Sequence, residues 1–239
     1  SSPTDSERTI SVRSGWNWLA YNGTAAVSLG DAFASLNPED GDLVKGKSGF
    51  AIFDGYEWAG TLQALVPSQG YMYLSKADTD RSFSYPKNMA KAKVPAMEYQ
   101  PVIVTIFNPV DNSKYPGNMT VVARITYDGK PLAECETGVF AGSECRTAGF
   151  TDSDGIVFLT VPGESVEKLT FRIKYGADIL ISDNTLDYSD DAVVGNRKAP
   201  FEIGFDANST TTSIVEVENS EADVKWYTHD GYALKHKPR

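Results

Sequence analysis

Strand-like segments dominate the pattern of apolar and polar positions along the chain. Short runs rich in Val, Ile, Tyr, Phe and Thr, some alternating with polar residues and some continuous, are separated by turn residues such as Asp-Gly and Gly-Lys. The predicted strands are Ile10–Val12, Trp16–Tyr21, Gly49–Phe53, Tyr71–Leu74, Met119–Tyr127, Ile156–Val161, Leu169–Tyr175 and Phe201–Phe205. Because the intervals between them are short, the pattern favours antiparallel hairpins over strand–helix–strand units.

One segment has the period of an amphipathic helix. Apolar residues recur at i, i+3, i+4 and i+7, at Leu29, Ala32, Phe33 and Leu36. Ser28 stands where an N-cap is needed, and Asn37-Pro38 predicts the end of the helix. A single short helix among many strands predicts a mainly β protein that begins with a small α+β module.

Two polar segments predict how the chain is divided. Residues 87–100 are basic and bounded by prolines, which predicts a linker, and 206–213 is a polar run that predicts a second linker or exposed loop. The predicted units are a β-rich module with one helix at 1–86, a strand-rich domain at 101–205 and a linker with a tail at 206–239.

Composition removes several classes of function. The chain has 22 Lys+Arg against 32 Asp+Glu, a net charge of −10, so binding to nucleic acid or to anionic lipid is not expected. Both histidines, His229 and His236, lie in the tail, which excludes His-based metal sites and Ser-His-Asp triads from the main body. The longest apolar run, 101–107, is far shorter than the roughly 20 residues that span a bilayer, so membrane insertion is not expected.

Aromatic residues two positions apart form the first candidate site. They share a strand face in three pairs, which are Trp16 with Trp18, Tyr56 with Trp58 and Tyr71 with Tyr73. Such rows fill cores or stack on sugar rings, and the core interpretation is favoured because large aromatics dominate the packing of small domains. Tyr56 and Trp58 follow the Asp54-Gly55 turn and are expected to be the most exposed. The predicted ligand-binding residues are Tyr56, Trp58 and Tyr71.

An acidic stretch forms the second candidate site. Five Asp and no Lys or Arg fall between Asp178 and Asp191, in what we interpret as a long flexible loop. Clustered carboxylates suit Ca²⁺, which takes six to eight oxygen ligands, and a solvated acidic loop is the alternative. The predicted metal ligands are Asp183, Asp187, Asp190 and Asp191. The acidic segments 37–42 and 152–155 are predicted to be turns.

The two cysteines do not fix the redox environment. Cys135 and Cys145 are ten residues apart, a spacing that permits a short-loop disulfide. Residues 138–141 and 145–148 are also typical of the two arms of a hairpin around Gly142-Ser143, with Cys135 before the first arm. Two buried free thiols are therefore the alternative.

Several motifs in the first half of the chain are similar to a known kind of module. They are Gly15-Trp-Asn-Trp-Leu-Ala-Tyr21, Leu43-Val-Lys-Gly46, Gly49-Phe-Ala51, Trp58-Ala-Gly-Thr-Leu62, Leu65-Val-Pro67 and Gly70-Tyr-Met-Tyr73. Together they resemble a small module repeated in large secreted or surface proteins of the Bacteroidetes. Gly138-Val-Phe-Ala-Gly142 with Glu144-Cys-Arg146 resembles the immunoglobulin-like domain that often follows it. The resemblance implies an immunoglobulin-like antiparallel β-sandwich at 101–205.

The tail resembles the opening of the C-terminal sorting-type domain of exported proteins in that phylum. The residues that carry this resemblance are Thr212-Ser-Ile-Val-Glu-Val217, Ala222-Asp-Val-Lys-Trp-Tyr227 and Asp230-Gly-Tyr-Ala-Leu234. The chain ends at Arg239, where the next strand of such a domain is expected, so only its first part is covered. At the other end, Ser1 to Glu7 lacks signal-peptide features, which predicts either a removed leader or a piece of a longer protein.

These observations favour a non-catalytic binding or adhesion module, secreted or at the cell surface, with no predicted catalytic residues. Its expected partner is a glycan or a protein at that surface. A carbohydrate-active hydrolase with paired carboxylates is the first alternative, because sequence spacing does not show which acids face each other. A structural spacer within a longer surface protein is the second. No cofactor is expected apart from the calcium already considered.

Overall fold

The fold is mainly β, as the sequence predicts. A computed structural model describes residues 9–47, 49–86, 105–213, 226–227 and 233–234. These residues contain one short α-helix and two 3₁₀ turns among many strands. None of their helices has the length and apolar character needed to cross a bilayer.

The module, residues 9–86, is built on one open antiparallel sheet. Its strands are β1 (Ile10–Val12), β2 (Gly15–Tyr21), β3 (Val27–Ser28), β4 (Leu43–Lys45), β5 (Phe50–Phe53), β6 (Trp58–Gly60), β7 (Ala64–Leu65), β8 (Gln69–Ser75) and β9 (Arg81–Phe83). Five of them form the sheet in the order β2-β8-β4-β5-β6. Two small ladders, β1 with β9 and β3 with β7, complete the module.

The predicted helix is present in a shorter form. Helix α1 spans Leu29–Ala32 and continues into a 3₁₀ turn at Ala34–Leu36. The Ser28 hydroxyl accepts a bond from the Asp31 backbone N–H at 3.1 Å, which confirms the predicted cap. Asn37 adopts a left-handed conformation, φ 52°, and the helical segment ends there, also as predicted.

The inner face of the module's sheet packs on this helical segment. Phe33 lies at the centre, and its ring centroid is 5.0 Å from that of Tyr73 and 5.5 Å from that of Trp58. Alternation along β8 brings Tyr71 to the same face, where it is 4% exposed. The core interpretation is therefore confirmed for Tyr71 and Tyr73.

A buried carboxylate holds the turn after the helix to the sheet. Asp42 is fully buried and accepts bonds from the Tyr73 hydroxyl at 2.8 Å and from Arg81 Nη2 at 2.8 Å. It also accepts backbone N–H bonds from Glu39 and Lys76. Burial, with the adjacent carboxylate, raises the pKa of the Tyr73 hydroxyl. The turn predicted at 37–42 is thus present, and its last residue has a structural role that the sequence did not indicate.

The second unit, residues 105–213, is a two-sheet sandwich. Its strands are β10 (Gly117–Tyr127), β11 (Lys130–Pro131), β12 (Glu136–Ala141), β13 (Glu144–Phe150), β14 (Ile156–Gly163), β15 (Lys168–Tyr175), β16 (Asp178–Asp187), β17 (Val193–Val194), β18 (Phe201–Phe205) and β19 (Thr210–Ser213). In one sheet β10 pairs with β11 and β14, and also with β17 and β18. The other sheet has the order β13-β12-β15-β16-β19, and an apolar core lies between the two.

The sandwich has its own order of strands. An antibody constant domain places its first, second, fifth and fourth long strands in one sheet. Here the first long strand, β10, pairs antiparallel with the fourth, β14, and parallel with the seventh, β18. The second and fifth long strands, β12 and β15, pair with each other in the opposite sheet. The sandwich architecture is shared, while the strand order differs.

Two polar segments that the sequence assigned to loops are strands. The first ten residues of the acidic stretch, Asp178–Asp187, form β16, so a long flexible loop at 178–191 is wrong. Asp183 and Asp187 occupy exposed positions of that strand, whereas Leu180 is buried between the sheets. Within the predicted linker at 206–213, Thr210–Ser213 forms the edge strand β19, because it pairs with β16.

The predicted linker at 87–100 and most of the tail at 214–239 lie outside the described residues. Within the tail, β20 (Trp226–Tyr227) pairs antiparallel with β21 (Ala233–Leu234).

The hairpin around Gly142-Ser143 is present, and both cysteines are free. Cys145 lies opposite Phe140 near the turn, whereas Cys135 precedes β12 at the other end of the hairpin. Both thiols are buried, and burial raises the pKa of each to about 11. The buried-thiol alternative is therefore the one that the structure adopts.

Replacing the buried carboxylate tests the importance of the Asp42 network. Asp42→Asn leaves the Arg81 guanidinium without its buried charge partner, since Glu39, at 3.8 Å, is exposed to solvent. We expect the free energy of unfolding to fall by about 3 kcal/mol in urea denaturation. The control is Asp40→Asn, which alters only the exposed pair with Lys198 and should change stability little. Equal effects of the two substitutions would contradict this role for Asp42.

The cysteines provide a second prediction. The folded thiols stay protonated where unfolded Cys, with its ordinary pKa of 9.0, ionises. We therefore expect stability to fall as pH rises from 9 towards 11, because unfolding then releases protons. At pH 8 a disulfide reagent such as DTNB should label neither Cys135 nor Cys145 until guanidinium is added. Rapid labelling of the native protein would show that the thiols are accessible.

Candidate functional site

The two units dock through the outer face of the module's sheet. Alternation along the strands turns the inner residues towards the helix and the outer ones towards the sandwich. The module contributes Trp16, Leu43, Phe50, Ile52 and Leu74, and the sandwich contributes Val122, Ile156, Phe158 and Val193. The sheet that contains β10 and β14 is thus covered by apolar side chains on both faces, which explains the continuous apolar runs in its strands.

A buried lysine joins the units at one side of this interface. Lys45 lies on β4, and its side chain is 5% exposed. Its ammonium group pairs with Asp191 and donates to Asn118 Oδ1 at 3.1 Å. It also lies 5.0 Å from the ring centroid of Trp16, within cation–π distance. Since Lys45 belongs to the module and its polar partners to the sandwich, this cluster fixes one unit against the other.

A cleft of about 480 Å³ opens beside that lysine, between the units. The module supplies Trp18, Lys45, Lys47 and Met72 to its walls, and the sandwich supplies Asn112, Tyr115, Asn118, Asp190 and Asp191. Its size is within the range of small-molecule sites. Aromatic, amide and carboxylate groups therefore face one space that neither unit forms alone.

Trp18 is the most unusual residue of this cleft. It follows Trp16 on the same face of β2, but Trp16 is covered by the sandwich while Trp18 remains 80% exposed. Met72 lies across the strand pair, and next to it Gly70 has no neighbouring atom within 4 Å of where a Cβ would stand. One side of the indole therefore has free space beside it.

The opposite wall contains a tyrosine held in place by charges. The Tyr115 ring lies 4.0 Å from the Arg146 guanidinium, and its hydroxyl donates to Glu144. Glu144 also pairs with Lys114, whose hydrogen bond is the main cause of the lowered pKa of this carboxylate. Arg146 is anchored further by Glu167 at 2.7 Å. This network fixes the position of the Tyr115 ring.

A carboxylate at the same wall is placed by a close approach to the backbone. Asp190 Oδ1 accepts bonds from the Tyr188 hydroxyl at 3.3 Å and from the Asp191 backbone N–H at 3.2 Å. A Cβ at Gly117 would lie 2.1 Å from this oxygen, so a side chain there would displace the carboxylate. Glycine at this position therefore leaves the carboxylate in the orientation that these two bonds favour.

The predicted aromatic residues occupy separate environments. Tyr56 is 91% exposed at the tip of the β5–β6 hairpin, as the turn signal predicted. Trp58 is half-buried against Phe33 and Phe53, contrary to its expected exposure, because β6 returns it to the inner face of the sheet. Tyr71 is buried, and its hydroxyl accepts the Val66 N–H at 2.7 Å. These three residues do not form a common surface.

The four predicted metal ligands are divided in the same way. Asp183 and Asp187 project from β16, whereas Asp190 and Asp191 line the cleft, where Asp191 is paired with Lys45. Within the part of the chain that the structure describes, no three Asp, Glu, Cys or His side chains converge as a metal ion requires. Calcium binding stays a prediction, without a common site for these residues.

A second depression, of about 430 Å³, lies on the sandwich and has a different character. Its charges pair with one another, Arg124 with Glu202 at 3.0 Å and Arg197 with Asp154 at 3.5 Å. None of the described residues that line it is aromatic. The inter-unit cleft is therefore the stronger candidate for a ligand site.

Sequence reasoning placed Trp18 in the core with Trp16, and it did not single out Asn112, Tyr115 or Asn118. A signal for Trp18 was present, because Leu19 and Tyr21 mark the other face of β2 as the core face. No local signal showed that Trp16 would be covered by a second unit.

Two comparisons with known proteins identified no relative of this chain. Neither a scan against protein-family models nor a search of curated proteins found a match to this chain. The resemblance to Bacteroidetes modules stays a prediction.

Coupling between Gly117 and Asp190 provides a test of this geometry. Gly117→Ala should displace the carboxylate from its bonds to Tyr188 and the backbone, at a cost of about 1 kcal/mol in urea unfolding. Asp190→Ala loses the same bonds and removes the clash. The double variant should therefore be no less stable than either single variant. Additive losses would show that the two residues act independently.

Proposed function

We propose that this chain is a non-catalytic binding or adhesion module of a secreted or surface protein, and that it holds a glycan in the inter-unit cleft. The observation that carries the proposal is Trp18, which is 80% exposed within a cleft lined by amide and carboxylate groups. The indole keeps most of its surface free for a ligand at the opening of the cleft, and tryptophan is among the residues that most often anchor a bound partner.

The chemistry of the cleft suits a sugar better than other ligands. A pyranose ring has an apolar face that stacks on an aromatic side chain, and its hydroxyls need acceptors and donors at the edges. Trp18 supplies the aromatic surface, while Asn112, Asn118 and Asp190 supply hydrogen-bonding groups for the hydroxyls. A net charge of −10 argues against polyanionic nucleic acid.

The carboxylates of the cleft favour binding over hydrolysis. Paired-acid hydrolysis uses two carboxylates on opposite sides of the scissile bond. Asp190 and Asp191 are consecutive residues of one wall, and Asp191 is already paired with Lys45. This arrangement supports the non-catalytic interpretation.

Extracellular location is proposed from the sequence resemblance alone. The motifs at residues 15–73 and in the tail resemble those of secreted and surface proteins of the Bacteroidetes. A module that presents a glycan site between two docked units fits such a setting. A protein partner at the same surface is the alternative ligand, and the experiment below distinguishes the two.

Two exposed aromatic residues allow a matched test on a glycan array followed by titration calorimetry. Trp18→Ala should weaken binding of the best array ligand by about 30-fold or more, the loss typical of a central aromatic contact. Tyr56→Ala removes an aromatic that is equally exposed but outside the cleft, so affinity should change less than about twofold. Loss of binding with Tyr56→Ala but not with Trp18→Ala would show that the glycan binds at the hairpin tip. An array without any glycan ligand would favour a protein partner.

A further inference from the structure

We infer that the glycan of the inter-unit cleft is an uncharged one, recognised by stacking on Trp18 and by hydroxyl groups that donate to Asp190. This inference rests on the proposed function and specifies the class of ligand. Its basis is the way in which the charges of the cleft are already paired.

The cationic groups around the cleft are almost all occupied. Lys45 is buried and bound by Asp191 and Asn118. Arg146 lies behind the Tyr115 ring, where Glu144 and Glu167 neutralise it. An anionic sugar would need such a group free, because carboxylates and sulfates are bound mainly by Arg or Lys.

The second lysine of the cleft lining is Lys47, which is exposed to solvent. It forms no ion pair with any of the described residues. A single exposed ammonium contributes little to binding and is screened by salt. Asp190 opposes it with a negative charge inside the same cleft. The two lysines and two aspartates of the lining sum to zero, within a protein of net charge −10. An anionic ligand therefore gains no net attraction.

Asp190 has instead the features of a hydroxyl acceptor. Its Oδ1 is fixed by Tyr188 and the Asp191 backbone, and within the described residues no donor occupies Oδ2. The exposed carboxylate is thus oriented before a ligand arrives, which lowers the entropic cost of binding. Hydrogen bonds from neutral hydroxyls to an ionised acceptor are among the stronger ones in proteins.

The experiment uses two sets of hexasaccharides in calorimetric titrations of the full chain. The neutral set is cellohexaose, mannohexaose and xylohexaose, and the anionic set is hexagalacturonate and a hyaluronan hexasaccharide. We expect binding from the neutral set, with a Kd that changes less than about twofold between 20 and 500 mM NaCl, because no charge on the ligand is screened.

Two variants locate the contact. Asp190→Asn keeps the shape of the side chain and removes its charge, so the affinity for the neutral ligand should fall about tenfold. The control, Asp80→Asn, changes an exposed carboxylate outside the cleft and should leave the Kd unaltered. Thermal unfolding of each variant shows whether the fold is retained, and an unchanged Kd for a folded Asp190→Asn variant would overturn the assignment of that residue.

The remaining outcomes separate this inference from the proposed function. Binding of the anionic set alone, lost with Trp18→Ala, overturns the neutral class and leaves the cleft as the glycan site. Neutral binding that survives Trp18→Ala overturns both. An absence of binding by either set also overturns both.

Discussion

The docking of one β-sheet against another is the constraint on which the rest of the structure depends. The outer face of the module's sheet and the outer face of the sandwich sheet are both apolar, so each would be exposed if the units separated. At one side of this interface Lys45 donates hydrogen bonds to Asp191 and Asn118. The cleft exists because the two units meet in this fixed way, and its walls belong to different units.

The same docking gives two equivalent tryptophans different roles. Trp16 and Trp18 share a strand face and are two residues apart, yet the first is part of the interface and the second is exposed. The aromatic surface of the module therefore continues from a covered region into an open one. Tyr115 faces the same space from the sandwich, positioned by Arg146 and Glu144. The side chains that line the cleft are therefore held in position by interactions outside it.

Local signals were sufficient for much of the fold. Ser28 and Asn37 marked the helical segment because caps depend on neighbouring residues, and Gly142 and Asp152 marked turns for the same reason. The features that the sequence did not predict depend on partners that are distant along the chain. Asp42 is buried because Arg81 and Tyr73 reach it from other strands, and Thr210–Ser213 is a strand because β16 offers it an edge. Trp18 belongs with these, since its exposure depends on where a second unit ends.

The parallel pairing of β10 with β18 joins strands that are far apart in the sequence. Residues 123–127 of its first long strand pair with 201–205 of its seventh, across nearly the whole length of the unit. Such distant contacts slow folding, because a long loop must close before they form. During synthesis β10 would emerge early and keep an unpaired edge until Phe205 has left the ribosome. A chain cut before that residue would lose this partner strand and expose an edge that is prone to aggregate.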